Sequence, residues 1–231
     1  MEEESMEIVI GTSVLISAYK IERFQKGVIE YFNAHGRKSL PWRLTRDPWK
    51  ILLSELLLRK TTANQVIPVY SQLAELGLKK LSVIKKARLE KILLPIGLYK
   101  ERTSIIKAAA KEVNRAGEVE LSNIDFLQNL PGVGWYSFNT VRCFAFGDAL
   151  PALDRNMIRI LGRVFSITSE KTRPHTDKKL WKLAELFVPK GQAKEYNWGI
   201  LDLAAALCRP QKPLCEDCPL QNICDYALRK E

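Results

Sequence analysis

Histidine is scarce in this chain. There are two, His35 and His175, and neither stands among other candidate catalytic or ligating side chains, so both are read as surface residues. Long apolar runs are missing too. The stretch from Ile8 to Tyr19 is too short to cross a bilayer and is interrupted by Gly11, Thr12 and Ser13. The start, Met1-Glu2-Glu3-Glu4, has the wrong sign for a secretory leader. These absences argue against a membrane protein and for an intracellular one. There is no low-complexity tract, no internal repeat and no segment of sustained strand alternation, which leaves an all-α chain as the expectation. Cysteine is sparse except at one end. Of five, four are packed near the C-terminus, and in a reducing compartment that pattern points to a metal rather than to disulfides.

What is present is an ordinary globular balance, 46% hydrophobic and 27% charged over 231 residues, enough for one large domain or two small ones with a real core. Lysine plus arginine number 36 against 26 acidic residues, a formal net charge of +10. An acidic partner fits that excess, and nucleic acid is the commonest. Solubility alone would also account for it.

Helical spacing organises most of the chain. Phe24, Val28, Ile29 and Phe32 recur at that spacing from about Glu22 to Ala34, with Gly36 as a stop. Asp47 suits an N-cap and Pro48 a first turn. The helix they open, through Arg59, is apolar all round and therefore buried, with Glu55 in its middle. Further helices are expected near 62–74, 81–86, 87–94 and 100–115, then from a Ser122 cap into a hairpin, after Asp154, and over 177–187 and 193–206. Residues 1–18 form an extension of uncertain role. Cys143, inside the apolar run Val141 to Phe146, reads as a core residue.

The chain is organised around Leu130-Pro131-Gly132-Val133-Gly134-Trp135-Tyr136. Pro131 cannot continue the helix before it, and Gly132 and Gly134 can take backbone angles closed to other residues. A tight hairpin between two helices is expected, with bare backbone N–H groups that suit a phosphate. Downstream stand Asp154 and the spacing Cys208-x6-Cys215-x2-Cys218-x5-Cys224. Four thiolates on one loop-rich segment suit zinc or an iron–sulfur cluster, and spacing alone does not separate the two.

Hairpin, aspartate and cysteine tail, in that order, resemble the endonuclease III-like superfamily of DNA glycosylases, over about Phe24 to Tyr226. The resemblance implies two helical lobes flanking a DNA-binding cleft. One spans 41–149, with the helix-hairpin-helix. The other joins 19–40 to 150–231, with a [4Fe–4S] cluster on Cys208, Cys215, Cys218 and Cys224. It implies a hairpin at Gly132, Val133 and Gly134 that grips phosphate, often with a monovalent cation. The partner would be double-stranded DNA with a mismatched or damaged base, bound by a monomer in the cytoplasm at the nucleoid.

The resemblance also distributes roles. Asp154 becomes the catalytic carboxylate, though it equally suits the N-cap before Arg155-Asn156-Met157. Glu55, flanked by leucines, should be costly to ionise and marks the base pocket; otherwise it is a buried glutamate satisfied by an arginine or backbone group. Lys60 and Leu98 match the side chains that fill the hole left by a flipped nucleotide, against readings as a surface lysine and a core leucine. Arg59, with Arg37, Lys38, Arg43, Arg46 and Lys60, could line phosphates. Bifunctional members carry a lysine at the hairpin exit, where this chain has Tyr136. A phenol cannot form a Schiff base, so base removal without strand cleavage is expected.

Two subfamilies are similar in detail. The archaeal-type mismatch thymine/uracil glycosylases have a tyrosine here and a helix like Ser54 to Thr62. The MutY-type adenine glycosylases share the glutamate, but usually carry Gln-Gln where this chain has Arg59-Lys60, and a C-terminal 8-oxoguanine-reading domain that is not expected after Cys224. Thymine or uracil opposite guanine is the favoured substrate, adenine the alternative. A non-catalytic iron–sulfur DNA-binding protein is the alternative of a different class, and Asp154 argues against it.

Overall fold

Ser17 ends a short ribbon and begins the first helix. In the computed structural model, which describes residues 7–10 and 14–229, β1 (Glu7–Ile10) pairs antiparallel with β2 (Val14–Ser17), Ile8 opposite Ile16. This ribbon is a departure from a chain without strands. The rest is helical: α1 (Ala18–His35), α2 (Pro48–Leu57), α3 (Ala63–Val83), α4 (Lys86–Leu93), α5 (Tyr99–Ala116), α6 (Ile124–Asn129), α7 (Trp135–Val141), α8 (Arg155–Phe165), α9 (Lys178–Glu185), α10 (Ala193–Ala206) and α11 (Asp225–Leu228).

Local chemistry explains most boundaries. Asp47 caps α2 by accepting from Lys50 N at 3.1 Å, and Pro48 takes the first turn, where its missing N–H costs nothing. The two helices expected near 62–74 and 81–86 are one element, α3, bent at Gly77, whose φ of 73° breaks the helical path. The cap of α6 is Asn123, not Ser122. Asn123 accepts from Asp125 N and Phe126 N, while the Ser122 hydroxyl turns back to Val119 O at 2.8 Å. Past α7 the chain widens into a π turn over Arg142–Phe146.

The chain divides into two units. In Lys38–Asp148, α2 packs on α3, α5 and α7. Leu52, Leu53 and Leu57 of α2 are fully buried, with Leu73, Ile106, Val113 and Val141. Burying each such side chain is worth about 1.5–3 kcal/mol. Arg43, a candidate phosphate ligand by sequence, is a correction: it is only 8% exposed. A guanidinium so far out of solvent is not available to a phosphate.

The second unit joins Met1–Arg37 to Ala149–Glu231. Its core is an aromatic cluster: Phe24 meets Phe165 edge-on at 5.0 Å, and Phe187 and Tyr196 close around them. Such pairs add about 0.5–1.5 kcal/mol each beyond area burial. α1 lies on α10 so closely that a Cβ at Gly199 would stand 2.6 Å from Val28 O. Arg37 pairs with the buried Asp202, donating through Nε at 2.8 Å and its backbone N at 2.9 Å. Among the described residues, no helix is long and apolar enough to cross a membrane.

Candidate active site

The hairpin is built as its residues dictate. α6 stops at Leu130, Val133 N donates to Leu130 O at 3.0 Å, and Gly132 sits at φ 81°, in the left-handed region. The turn is pressed against its neighbours. A Cβ at Gly132 would lie 2.3 Å from Ile105 Cγ2 of α5 and 3.1 Å from Leu56 Cδ2 of α2. A Cβ at Gly134 would meet nothing within 4 Å, so the outer side of the hairpin is open. Arg59 donates to the Gly132 carbonyl, tying the segment after α2 to the turn. Tyr136 is the second residue of α7 and half-buried; Trp135 beside it is exposed.

Glu55 lies in the middle of α2, 7% exposed. Lys60 and Leu98 belong to the same unit. Both are exposed, and both take left-handed backbone conformations, at φ 53° and 49°. Leu98 is therefore not a core leucine. A buried arginine, Arg102, stands behind both loops; sequence reading did not single it out. Its position was the signal: it occupies the apolar stripe of α5 that runs on through Ile106, Ala109 and Val113.

Asp154 belongs to the second unit. The segment before it is stapled to α10 by the fully buried Asn197, which accepts from Ala152 N at 2.8 Å and donates to Leu150 O at 3.0 Å. Asp154 Oδ1 accepts from Asn156 N at 2.8 Å and from Met157 N at 2.9 Å, so it is the N-cap of α8. Oδ2 accepts from Asn156 Nδ2 at 2.7 Å. Asn156 Oδ1 in turn accepts from Arg159, whose Nε donates to Cys208 O at 2.8 Å. Burial pushes the Asp154 carboxyl above the usual carboxylate range, against the pull of those backbone and side-chain N–H donors and of the Arg159 charge. Asn156 and Arg159 went unread in sequence, because a side chain two or five positions after a cap is ambiguous until its partner is seen.

The four C-terminal cysteines line one hollow together with Ile160, Leu203 and Tyr226. Burial first, and then the proximity of Cys208, Cys224 and Cys215, pushes the Cys218 thiol up to about 11. Four sulfurs that repel one another around a common space fit a group that binds them as thiolates. Arg163 NH1 stands 3.3 Å from Cys208 Sγ.

Comparison with known proteins agrees with this geometry. The family model for HhH-GPD superfamily base excision DNA repair proteins matches residues 53–186, and that for the iron–sulfur binding domain of endonuclease III matches residues 208–224, the span of the four cysteines. A thymine-DNA glycosylase of Aeropyrum pernix is 43% identical over 90% of this chain and 95% of its own. A thymine/uracil-DNA glycosylase of Pyrobaculum aerophilum is 38% identical over 90% and 94%. The solved structure of a thermostable thymine-DNA glycosylase superposes with a TM-score of 0.84 at 34% identity, over 91% of this chain and 98% of that one. Relatives named adenine DNA glycosylase match at lower identity, 28% for that of Buchnera aphidicola.

Proposed function

The chain belongs to the HhH-GPD superfamily of base excision DNA repair proteins, and from that premise we propose that it is a monofunctional DNA glycosylase. It hydrolyses the N-glycosidic bond of thymine or uracil mispaired with guanine in double-stranded DNA, and leaves the strand uncut. The observation that carries this is the carboxylate of Asp154, fixed by three N–H donors on two residues, Asn156 and Met157.

Breaking the bond puts positive charge on the deoxyribose and negative charge on the leaving base. A carboxylate already held in place needs no reorganisation as that charge appears. At about 4 Å and an effective dielectric of about 20, the attraction is worth roughly 4 kcal/mol, about a thousandfold in rate. The same carboxylate can take a proton from the attacking water. Glu55, held within α2, serves the base pocket, where it can hydrogen-bond to a carbonyl of the pyrimidine. Tyr136 stands at the hairpin exit and offers no amine to attack the sugar C1′, so the reaction ends at the abasic site.

The backbone of Gly132, Val133 and Gly134 grips a phosphate beside the lesion, and the same turn would hold a monovalent cation that helps to neutralise it. Arg59, Lys60 and Leu98 meet the DNA, the last two filling the space left by the extruded nucleotide. Cys208, Cys215, Cys218 and Cys224 hold a [4Fe–4S] cluster, which when bound would tie the loops of the C-terminal segment together. The setting is intracellular, and the protein acts as a monomer.

The test is Asp154→Asn. Asparagine still caps a helix, so the variant should fold and bind mismatched duplex while excision falls by about a thousandfold. Undiminished excision would refute the assignment.

A further inference from the structure

Arg102 is 4% exposed and uses every N–H of its guanidinium. NH1 donates to Leu56 O and Leu57 O, both at 2.7 Å. NH2 donates to Arg59 O at 2.5 Å and to Thr61 Oγ1 at 2.7 Å. Nε donates to Gly97 O at 3.0 Å. These acceptors lie on two separate segments. One is the end of α2 and the loop behind it, which presents Lys60; the other is the turn before α5, which presents Leu98.

The two segments touch through a second link. Thr61 Oγ1 lies 3.3 Å from Ile96 O as well as 3.1 Å from Arg59 O. Each segment holds one non-glycine residue in the left-handed region, Lys60 and Leu98, with the side chain in solvent. Such conformations persist only where the surroundings over-determine them. Arg102, with Thr61, is the group that does so for both.

We propose that Arg102 is a positioning residue that joins the Lys60 and Leu98 loops into one rigid wedge, so that both side chains enter the duplex together when the target nucleotide leaves it. This rests on the reading of the chain as a base-extruding glycosylase. Arg102 itself touches neither DNA nor the reacting atoms. Two independent loops would each have to be ordered during insertion, and that ordering would weigh against extrusion. A lysine cannot substitute, because its three donors radiate from one atom and cannot span acceptors on two segments. If Arg102 merely capped α2, its loss would lower stability and affect every substrate alike.

The experiment uses the full chain and two uracil substrates, a G·U duplex and a duplex whose uracil lies in an unpaired bubble, under single-turnover conditions. 2-Aminopurine beside the uracil reports unstacking. Arg102→Lys is expected to slow excision from the duplex by about tenfold or more, with a matching loss of the 2-aminopurine signal, while excision from the bubble stays within about twofold. Thr61→Val should shift the duplex-to-bubble ratio in the same direction by less, and it carries the test alone if Arg102→Lys does not fold. Equal losses on both substrates, or no loss on either, would overturn the wedge. Wild-type protein inactive on both would overturn the glycosylase reading, and the wedge with it.

Discussion

Asn156 donates its side-chain amide to Asp154 Oδ2 at 2.7 Å. Oδ1 is meanwhile held by the backbone of α8, so the side chain of Asn156 orients the oxygen that the cap leaves over. Asn156→Ala keeps both backbone donors and loses this one, together with the bond that Arg159 NH2 donates to Asn156 Oδ1. A hydrogen bond to a charged group is worth about 1.5–3 kcal/mol, so single-turnover excision is expected to fall by about 10- to 100-fold, with the melting temperature nearly unchanged. An unchanged rate would mean that backbone capping alone fixes the carboxylate.

The pH dependence follows from the same group. In the proposed mechanism the working form of Asp154 is the carboxylate, and burial raises its pKa above 3.8. Excision should therefore decline as pH falls through that raised value, giving an acid limb above the one an ordinary aspartate would give. The N–H donors and the Arg159 charge oppose burial, so removing the Asn156 side chain should move the limb higher still. A pH–rate profile of wild type and Asn156→Ala measures both shifts. A limb that moved down would have the wrong sign.

In the proposed reaction Tyr136 stands where a lysine would attack the sugar. Tyr136→Lys should acquire borohydride-trappable adducts and strand cleavage without alkali, since an amine at that place can form a Schiff base. A lysine variant that folds and excises but never traps would show that the hairpin exit does not reach C1′.

Gly132 and Gly134 should respond differently to alanine. At Gly132 the backbone is left-handed and a Cβ would sit 2.3 Å from Ile105 Cγ2, so Gly132→Ala should destabilise the protein by about 2–4 kcal/mol. At Gly134 the backbone is extended and the space empty, so Gly134→Ala should leave stability almost unchanged and weaken only duplex affinity. Thermal melts and binding titrations of the two variants separate them.

Much of this was legible in sequence where the cause is local. Asp47 and Pro48 announce α2, the all-round apolar pattern announces its burial, and Gly132 announces its turn. Asp154 was readable as both cap and carboxylate, and it is a cap. What escaped depends on partners far along the chain or on competition between neighbours. Arg102 finds four of its five acceptors on the end of α2 and the loop after it, 46 residues away in the case of Leu56, and no window around α5 contains those four. Ser122 and Asn123 are both good caps, and the choice is settled by the Ser122 hydroxyl bonding back to Val119. The single helix α3 is expected as two, near 62–74 and 81–86, because nothing local says that the chain resumes its helix beyond the bend at Gly77. The ribbon of β1 and β2 was missed because its apolar residues do not alternate in sequence.

The most direct test is an excision panel on duplexes bearing G·T, G·U, A·8-oxoguanine and A·G, each analysed with and without hot alkali. Base loss from G·T and G·U is expected, with strands that break only after alkali. Breakage without alkali, activity confined to the adenine substrates, or no activity on any of the four would contradict a monofunctional mismatch pyrimidine glycosylase.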